Sequence, residues 1–103
     1  MKKYFNNSNL NKKIIRNKNI KEISFIKSNL DKVDFKNCKL EKCDFWEANL
    51  YHTNFNNSRL KNCIFTDTDL RKTFFLNSIL IDSNLSHTNL KGVNFQSAQF
   101  TNV

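Results

Sequence analysis

Large apolar residues recur at every fifth position of this chain, from one end to the other. Phe5, Leu10, Ile15, Ile20, Phe25, Leu30, Phe35, Leu40, Phe45, Leu50, Phe55, Leu60, Phe65, Leu70, Phe75, Leu80, Leu85, Leu90, Phe95 and Phe100 keep the phase without an insertion. Most sit in the same unit: a small residue two places before, usually Asn or Asp one place before, and two variable, mostly polar residues after. Residues 43–55, Cys-Asp-Phe-Trp-Glu, Ala-Asn-Leu-Tyr-His, Thr-Asn-Phe, show the unit in succession. A period of five matches neither a helix at 3.6 nor a strand at 2. It predicts a chain that turns a corner every five residues.

Ala48-Asn49-Leu50 and Thr68-Asp69-Leu70 match the motif A(D/N)LXX, and the whole chain resembles the pentapeptide-repeat family. The resemblance implies an all-β fold, a right-handed, four-sided parallel β-helix. Four pentapeptides make one coil, and the central residue and the small residue two before it point inward. A four-sided coil demands a second period of twenty, and the sequence has one. Phe5, Phe25, Phe45, Phe65 and Leu85 form one column, and Leu10, Leu30, Leu50, Leu70 and Leu90 the next. Ile15, Phe35, Phe55, Phe75 and Phe95 follow, then Ile20, Leu40, Leu60, Leu80 and Phe100. Like residues stacked about 4.8 Å apart give five coils and a rod on the order of 24 Å long.

The inward slot two places earlier is small through the body, from Ser28 and Val33 to Val93 and Ala98, with Ile23 the one large exception. In the first coil it reads Lys3, Ser8, Lys13 and Lys18. An unpaired buried Lys costs several kcal/mol. The expectation is one domain over 1–103, with 1–20 a distorted, partly open basic coil and regular coils over 21–103.

Composition agrees with a repeat fold: 39% of residues are apolar, there is no Pro, and Gly92 is the single Gly. Each unit needs to bury surface only against its neighbours. The net charge of +8 is concentrated. Residues 1–21 hold Lys2, Lys3, Lys12, Lys13, Arg16, Lys18 and Lys21 and no acid, whereas 22–103 carry 10 basic and 9 acidic side chains. No apolar run has the length of a signal peptide or of a membrane span. Three cysteines, an odd number without metal-type spacing, point to a reducing cytoplasm.

The columns Asn9, Asn29, Asn49, Asp69, Asn89 and Asn17, Asn37, Asn57, Asn77 read as turn residues bonding to backbone. Cys38, Cys43 and Cys63 read as small core residues. His52 and His87 do not converge with them. No nucleophile–base set, carboxylate pair or Gly-rich phosphate loop stands out. The reading is therefore no enzyme, no cofactor and no metal.

Outward apolar residues carry the functional signal. Ile64, Phe74, Leu76, Ile79 and Ile81 all lie at positions that should face water, the last four within one coil on two adjacent faces, and Ile26 and Trp46 share another outward column with Tyr51 nearby. Clustered exposed apolar residues mark a contact surface. The last coil, with Phe100, is expected to present an open edge that invites pairing, so a homodimer is one expectation.

Three readings follow. The first is a non-enzymatic scaffold that binds a protein partner or itself through the Phe74–Ile81 patch. The second comes from the resemblance. Some family members mimic acidic B-form DNA and bind DNA gyrase or topoisomerase IV, and some protect these enzymes from quinolones; the resemblance also implies a bacterial source. The near-neutral body and basic start of this chain depart from such mimicry. The third is weak, salt-dependent nucleic-acid binding through Lys12, Lys13, Arg16, Lys18 and Lys21, extended along one face by Lys39, Lys42, Arg59 and Lys61.

Overall fold

The structure, a computed structural model, describes residues 3–103; Met1 and Lys2, the latter part of the basic start, lie outside the described residues. Seven short strands recur around the coil: β1 Lys3–Tyr4, β2 Asn19–Lys21, β3 Ile23–Ser24, β4 Lys39–Glu41, β5 Arg59–Lys61, β6 Ile79–Ile81 and β7 Gln99–Thr101. One parallel sheet runs β2-β4-β5-β6-β7 in register, with Ile20, Leu40, Leu60, Leu80 and Phe100 stacked as partners. The other sides are joined by parallel bridges at the same offset, such as Asn29 to Asn49, Asp34 to Asn54 and Asp44 to Ile64. Every partner lies twenty residues away. The columns read from the sequence are thus physical stacks, and the molecule is a β-solenoid of about five turns with principal extents of 30 × 27 × 25 Å.

The corners explain the period of five. From Asn7 to Asn102 every fifth residue has positive φ; all carry a side chain except Gly92. On three sides of the coil the N–H after the corner donates to the central carbonyl, as Val33 does to Leu30 at 3.1 Å and Ser58 to Phe55 at 3.1 Å. Positive φ at the third position of such a turn is the type II signature. Left-handed backbone costs an L-residue on the order of 1–2 kcal/mol, and less for Asn or Asp. Asx bonds offset part of that cost. The side-chain oxygens of Asn29, Asp34, Asp44, Asn49 and Asn54 each accept from the N–H two residues on. Between coils the amides form ladders: Asn49 Nδ2 donates to Asn29 Oδ1 at 3.2 Å, and Asn37 Nδ2 to Asn17 Oδ1 at 2.9 Å.

Inside, phenylalanine rings stack along the axis, Phe35 on Phe55 at 5.1 Å and Phe45 on Phe65 at 4.9 Å. Neighbouring columns meet edge to face, Phe45 against Phe55 at 6.0 Å. The small slot keeps its hydroxyls bonded. Thr53 Oγ1 donates to the Leu30 carbonyl and Thr73 Oγ1 to the Leu50 carbonyl, both at 2.8 Å, so these buried polar groups are satisfied. Burial is complete for the central side chains from Leu30 to Leu80 and relaxes at the ends, where Phe5 is 41% and Phe100 46% exposed.

The first coil keeps the common register, with Lys3 paired to Ile23 and Ile14 to Asp34. Its corners at Asn7, Lys12 and Asn17 have the common φ. What distinguishes it is exposure: Lys3, Lys13 and Lys18 are in solvent, so no charge is buried in the inward slot and the backbone need not distort.

Candidate interaction surface

The repeat dictates where the outward apolar residues sit. The place before each central residue is normally Asn or Asp, whose oxygen caps the next corner. Ile64 and Phe74 occupy that place and cannot supply the bond. Phe74 is 40% and Ile64 41% exposed. At Phe74 the loss is covered from the coil below: the Leu76 N–H donates to Asn56 Oδ1 at 2.9 Å.

Phe74 and Leu76 lie on one side of the solenoid, and Ile79 and Ile81 lie on β6 of the adjacent side, beyond the Asn77 corner. Leu76, Ile79 and Ile81 are half-buried. These four line the two sides of one edge as a strip, with the exposed Asn77 corner between the pairs. Ile64, Trp46 and Ile26 sit on the side that follows β5, past the Asn62 corner, and form a separate group. Trp46 is partly engaged already: its indole N–H donates to Asp67 Oδ2 at 3.2 Å, and the Lys27 ammonium lies 5.4 Å from its ring centre.

The structure adds residues to the Phe74 end of the strip. His52 stacks on Phe74 at 6.5 Å between ring centres, and Tyr51 packs on His52 at 4.2 Å. Arg71 lies over the Tyr51 ring at 5.3 Å and Lys72 at 5.9 Å. Tyr51 therefore joins Phe74, not the Trp46 column beside which the sequence set it. The Asp69 carboxylate holds Arg71 through two hydrogen bonds at 2.9 and 2.7 Å, and this bonding lowers the Asp69 pKa. Ile14, in the Phe74 column, also replaces an Asx residue and is exposed. The residue type at that one position marks it, a signal present in the sequence.

The basic start is not one patch. Arg16 is paired with Asp34 at 2.8 Å and Lys21 with Glu41 at 3.3 Å. Lys12 occupies a corner. Lys3, Lys13 and Lys21 rim an apolar opening at the first coil, floored by Phe5, Leu10 and Ile20. Lys18 is exposed beside β2. Lys39, Arg59 and Lys61 extend the charge along the five-stranded sheet.

Cys38, Cys43 and Cys63 are free and buried. The neighbouring Cys43 thiol, and burial, push Cys63 well above the usual thiol range, and burial raises Cys38. Among the described residues no three His, Cys, Asp or Glu side chains are placed to hold a metal, and no helix is long and apolar enough to cross a membrane.

The family model of pentapeptide repeats matches this chain in eight copies, over residues 28–67, 65–96 and 75–103. No curated protein sequence matches. Among solved structures, HetL, a pentapeptide repeat protein involved in heterocyst differentiation regulation in Nostoc sp. strain PCC 7120, superposes with a TM-score of 0.77 at 18% identity, over 93% of this chain and 48% of its own. A trypsin-treated form of QnrB1, a plasmid-mediated fluoroquinolone resistance protein, gives 0.80 at 16% identity, over 99% of this chain and 53% of its own. A pentapeptide repeat protein of the Arabidopsis thaliana thylakoid lumen gives 0.59 at 22% identity, over 93% and 60%. The chain spans about half the length of the first two. At these identities the likeness is one of fold.

Proposed function

This chain belongs to the pentapeptide-repeat family, and from that premise we propose that it is a non-enzymatic scaffold that presents the Phe74, Leu76, Ile79 and Ile81 strip to a protein partner or to a second copy of itself. One observation carries the reading. At Phe74 the chain replaces the repeat's corner-capping Asx residue with an exposed aromatic, and Asn56 of the coil below makes good the lost bond. The ring is 40% exposed and so leaves apolar surface outside the core, the mark of a contact surface rather than of folding. Ile64, Trp46 and Ile26 form a second, smaller contact group on the following side. Three unpaired thiols support a reducing, cytoplasmic setting.

A gyrase or topoisomerase ligand is the competing reading, suggested by the fold likeness to QnrB1. The charge of the chain, +8 overall, opposes mimicry of a polyanion. A supercoiling assay with neither inhibition nor drug protection at micromolar protein removes it.

Light scattering over a range of concentrations, with wild type and with Phe74→Ser/Ile81→Ser, tests the scaffold. The variant should keep its circular dichroism and melting temperature and lose whatever self-association or partner capture the wild type shows. Unchanged assembly and unchanged partners defeat the proposal.

A further inference from the structure

On the side that carries the five-stranded sheet, the outward residues change character strand by strand. They are Asn19 and Lys21 on β2, Lys39 and Glu41 on β4, Arg59 and Lys61 on β5, Ile79 and Ile81 on β6, and the uncharged Gln99 and Thr101 on β7. Four cations and one carboxylate occupy three neighbouring strands, and an apolar strand follows without a break. Neighbouring strands stand about 4.8 Å apart. Lys39 and Arg59 are register partners, a like-charge cross-strand pair that works against the sheet. The one carboxylate, Glu41, is held by Lys21 at 3.3 Å. Lys39, Arg59 and Lys61 have no ion pair among the described residues. The corner column beside the sheet is mixed, with Glu22, Lys42, Asn62 and Asp82 in succession, so the cationic face is confined to the strands. A face that leaves Lys39, Arg59 and Lys61 unneutralised around a shallow hollow, beside an apolar strand, complements a ligand with carboxylates beside apolar side chains.

We infer that the partner of the scaffold is an acidic, amphipathic protein segment. Its carboxylates meet Lys39, Arg59 and Lys61. Its apolar side chains rest on Ile79 and Ile81 and, around the Asn77 corner, on Leu76 and Phe74. The inference rests on the scaffold reading and adds the chemistry of the occupant. Nucleic acid matches this face less well. Its charge repeats without interruption, so a backbone lying along the stack runs from the basic strands onto Ile79 and Ile81, where nothing neutralises it. Single strands gain grip by stacking bases on aromatic side chains, and none of the outward residues of this sheet is aromatic.

Selection from a displayed library of short segments, in which acidic, basic and apolar positions vary independently, tests the inference. Survivors should combine Asp or Glu with Leu, Ile, Phe or Trp. The best segment is then titrated against wild type, Lys39→Glu/Arg59→Glu and Ile79→Ser/Ile81→Ser, each first checked for the wild-type circular dichroism. Charge reversal should weaken binding roughly tenfold or more at low salt, and the difference should shrink as salt rises. No survivors, survivors without acid bias, or affinity indifferent to charge reversal overturn the acidic partner; if the Ser pair still abolishes binding, the scaffold reading stands alone. Binding that charge reversal abolishes and the Ser pair leaves intact overturns the apolar contact and the scaffold reading with it. Duplex DNA that outcompetes every selected segment overturns the inference in favour of nucleic acid.

Discussion

The N–H of Leu76 donates to Oδ1 of Asn56, one coil below, at 2.9 Å. Where the place before the central residue is Asn or Asp, that bond comes from within the same turn, as when Trp46 N–H donates to Asp44 Oδ1 at 3.0 Å; where it is Ser24, Ile26 N–H turns to Asn6 Oδ1 of the coil below at 3.2 Å, as Leu76 does. The detour exists because residue 74 is Phe. Phe74→Asn restores the local acceptor. Stability in urea should be unchanged or higher by up to about 1 kcal/mol, while association through the strip is lost. A loss of more than about 2 kcal/mol would mean that the ring supports the fold, and the contact reading of residue 74 would fail.

Phe55 is fully buried and touches four rings: Phe35 at 5.1 Å, Phe75 at 5.2 Å, and Phe45 and Phe65 edge-on at 6.0 Å. Phe55→Ala should cost about 3–5 kcal/mol. Phe95, partly exposed in the last coil, has a solvent-facing side on which no cavity forms, so Phe95→Ala should cost less than half as much. Equilibrium unfolding in urea checks both, and equal losses would contradict a core that fades toward its ends.

Lys32 sits at a corner with φ 58° and is exposed. A β-branched side chain is a true outlier in left-handed backbone. Lys32→Val should destabilise by about 1–2 kcal/mol, and Lys32→Gly should change stability by less than about 1 kcal/mol. Melting curves of the pair decide it. A harmless Val would show that the corner relaxes to another conformation.

Cys63 has its pKa raised by the adjacent Cys43 thiol and by burial. The neutral thiol is therefore favoured in the folded state. Its contribution to stability is fully present below the unfolded thiol pKa, about 8.5, and is lost as pH rises from there toward the folded value. Stability should fall through mildly alkaline pH, and Cys63→Ala should flatten that fall. Thiol labelling at pH 8 should wait for opening of the coils. Labelling at the rate of a free thiol would refute this.

Much of this was written in the sequence, because an in-register stack repeats its own constraints. Phe35, Phe55 and Phe75 are one environment seen three times, so the twenty-residue column was legible before any geometry. The corner rule was legible too, since Asn and Asp fill most places before the central residue on the three capped sides, Ile14, Ser24, Ile64 and Phe74 being departures. Phe74 showed as a departure from that rule, and Leu76, Ile79 and Ile81 as apolar residues at outward places. The meeting of Tyr51, His52 and Phe74 was hidden, because it depends on how a corner side chain leans across to the coil above. The first-coil lysines misled for a related reason. A Lys in the inward slot is costly only where another coil covers it, and Lys3, Lys13 and Lys18 are uncovered. Pairings such as Arg16 with Asp34 depend on rotamers, and periodicity does not encode them.

The bonds that join the coils point along the axis of the stack, as Leu30 N–H does toward the Asn49 carbonyl at 2.8 Å. Tension applied to the two ends of the chain would load these bonds from the outermost coil inward. Each coil would peel away alone, releasing twenty residues or on the order of 65–70 Å of extended chain. The solenoid would therefore yield as a staircase at low force, where a sheet sheared across its strands resists and then ruptures at once.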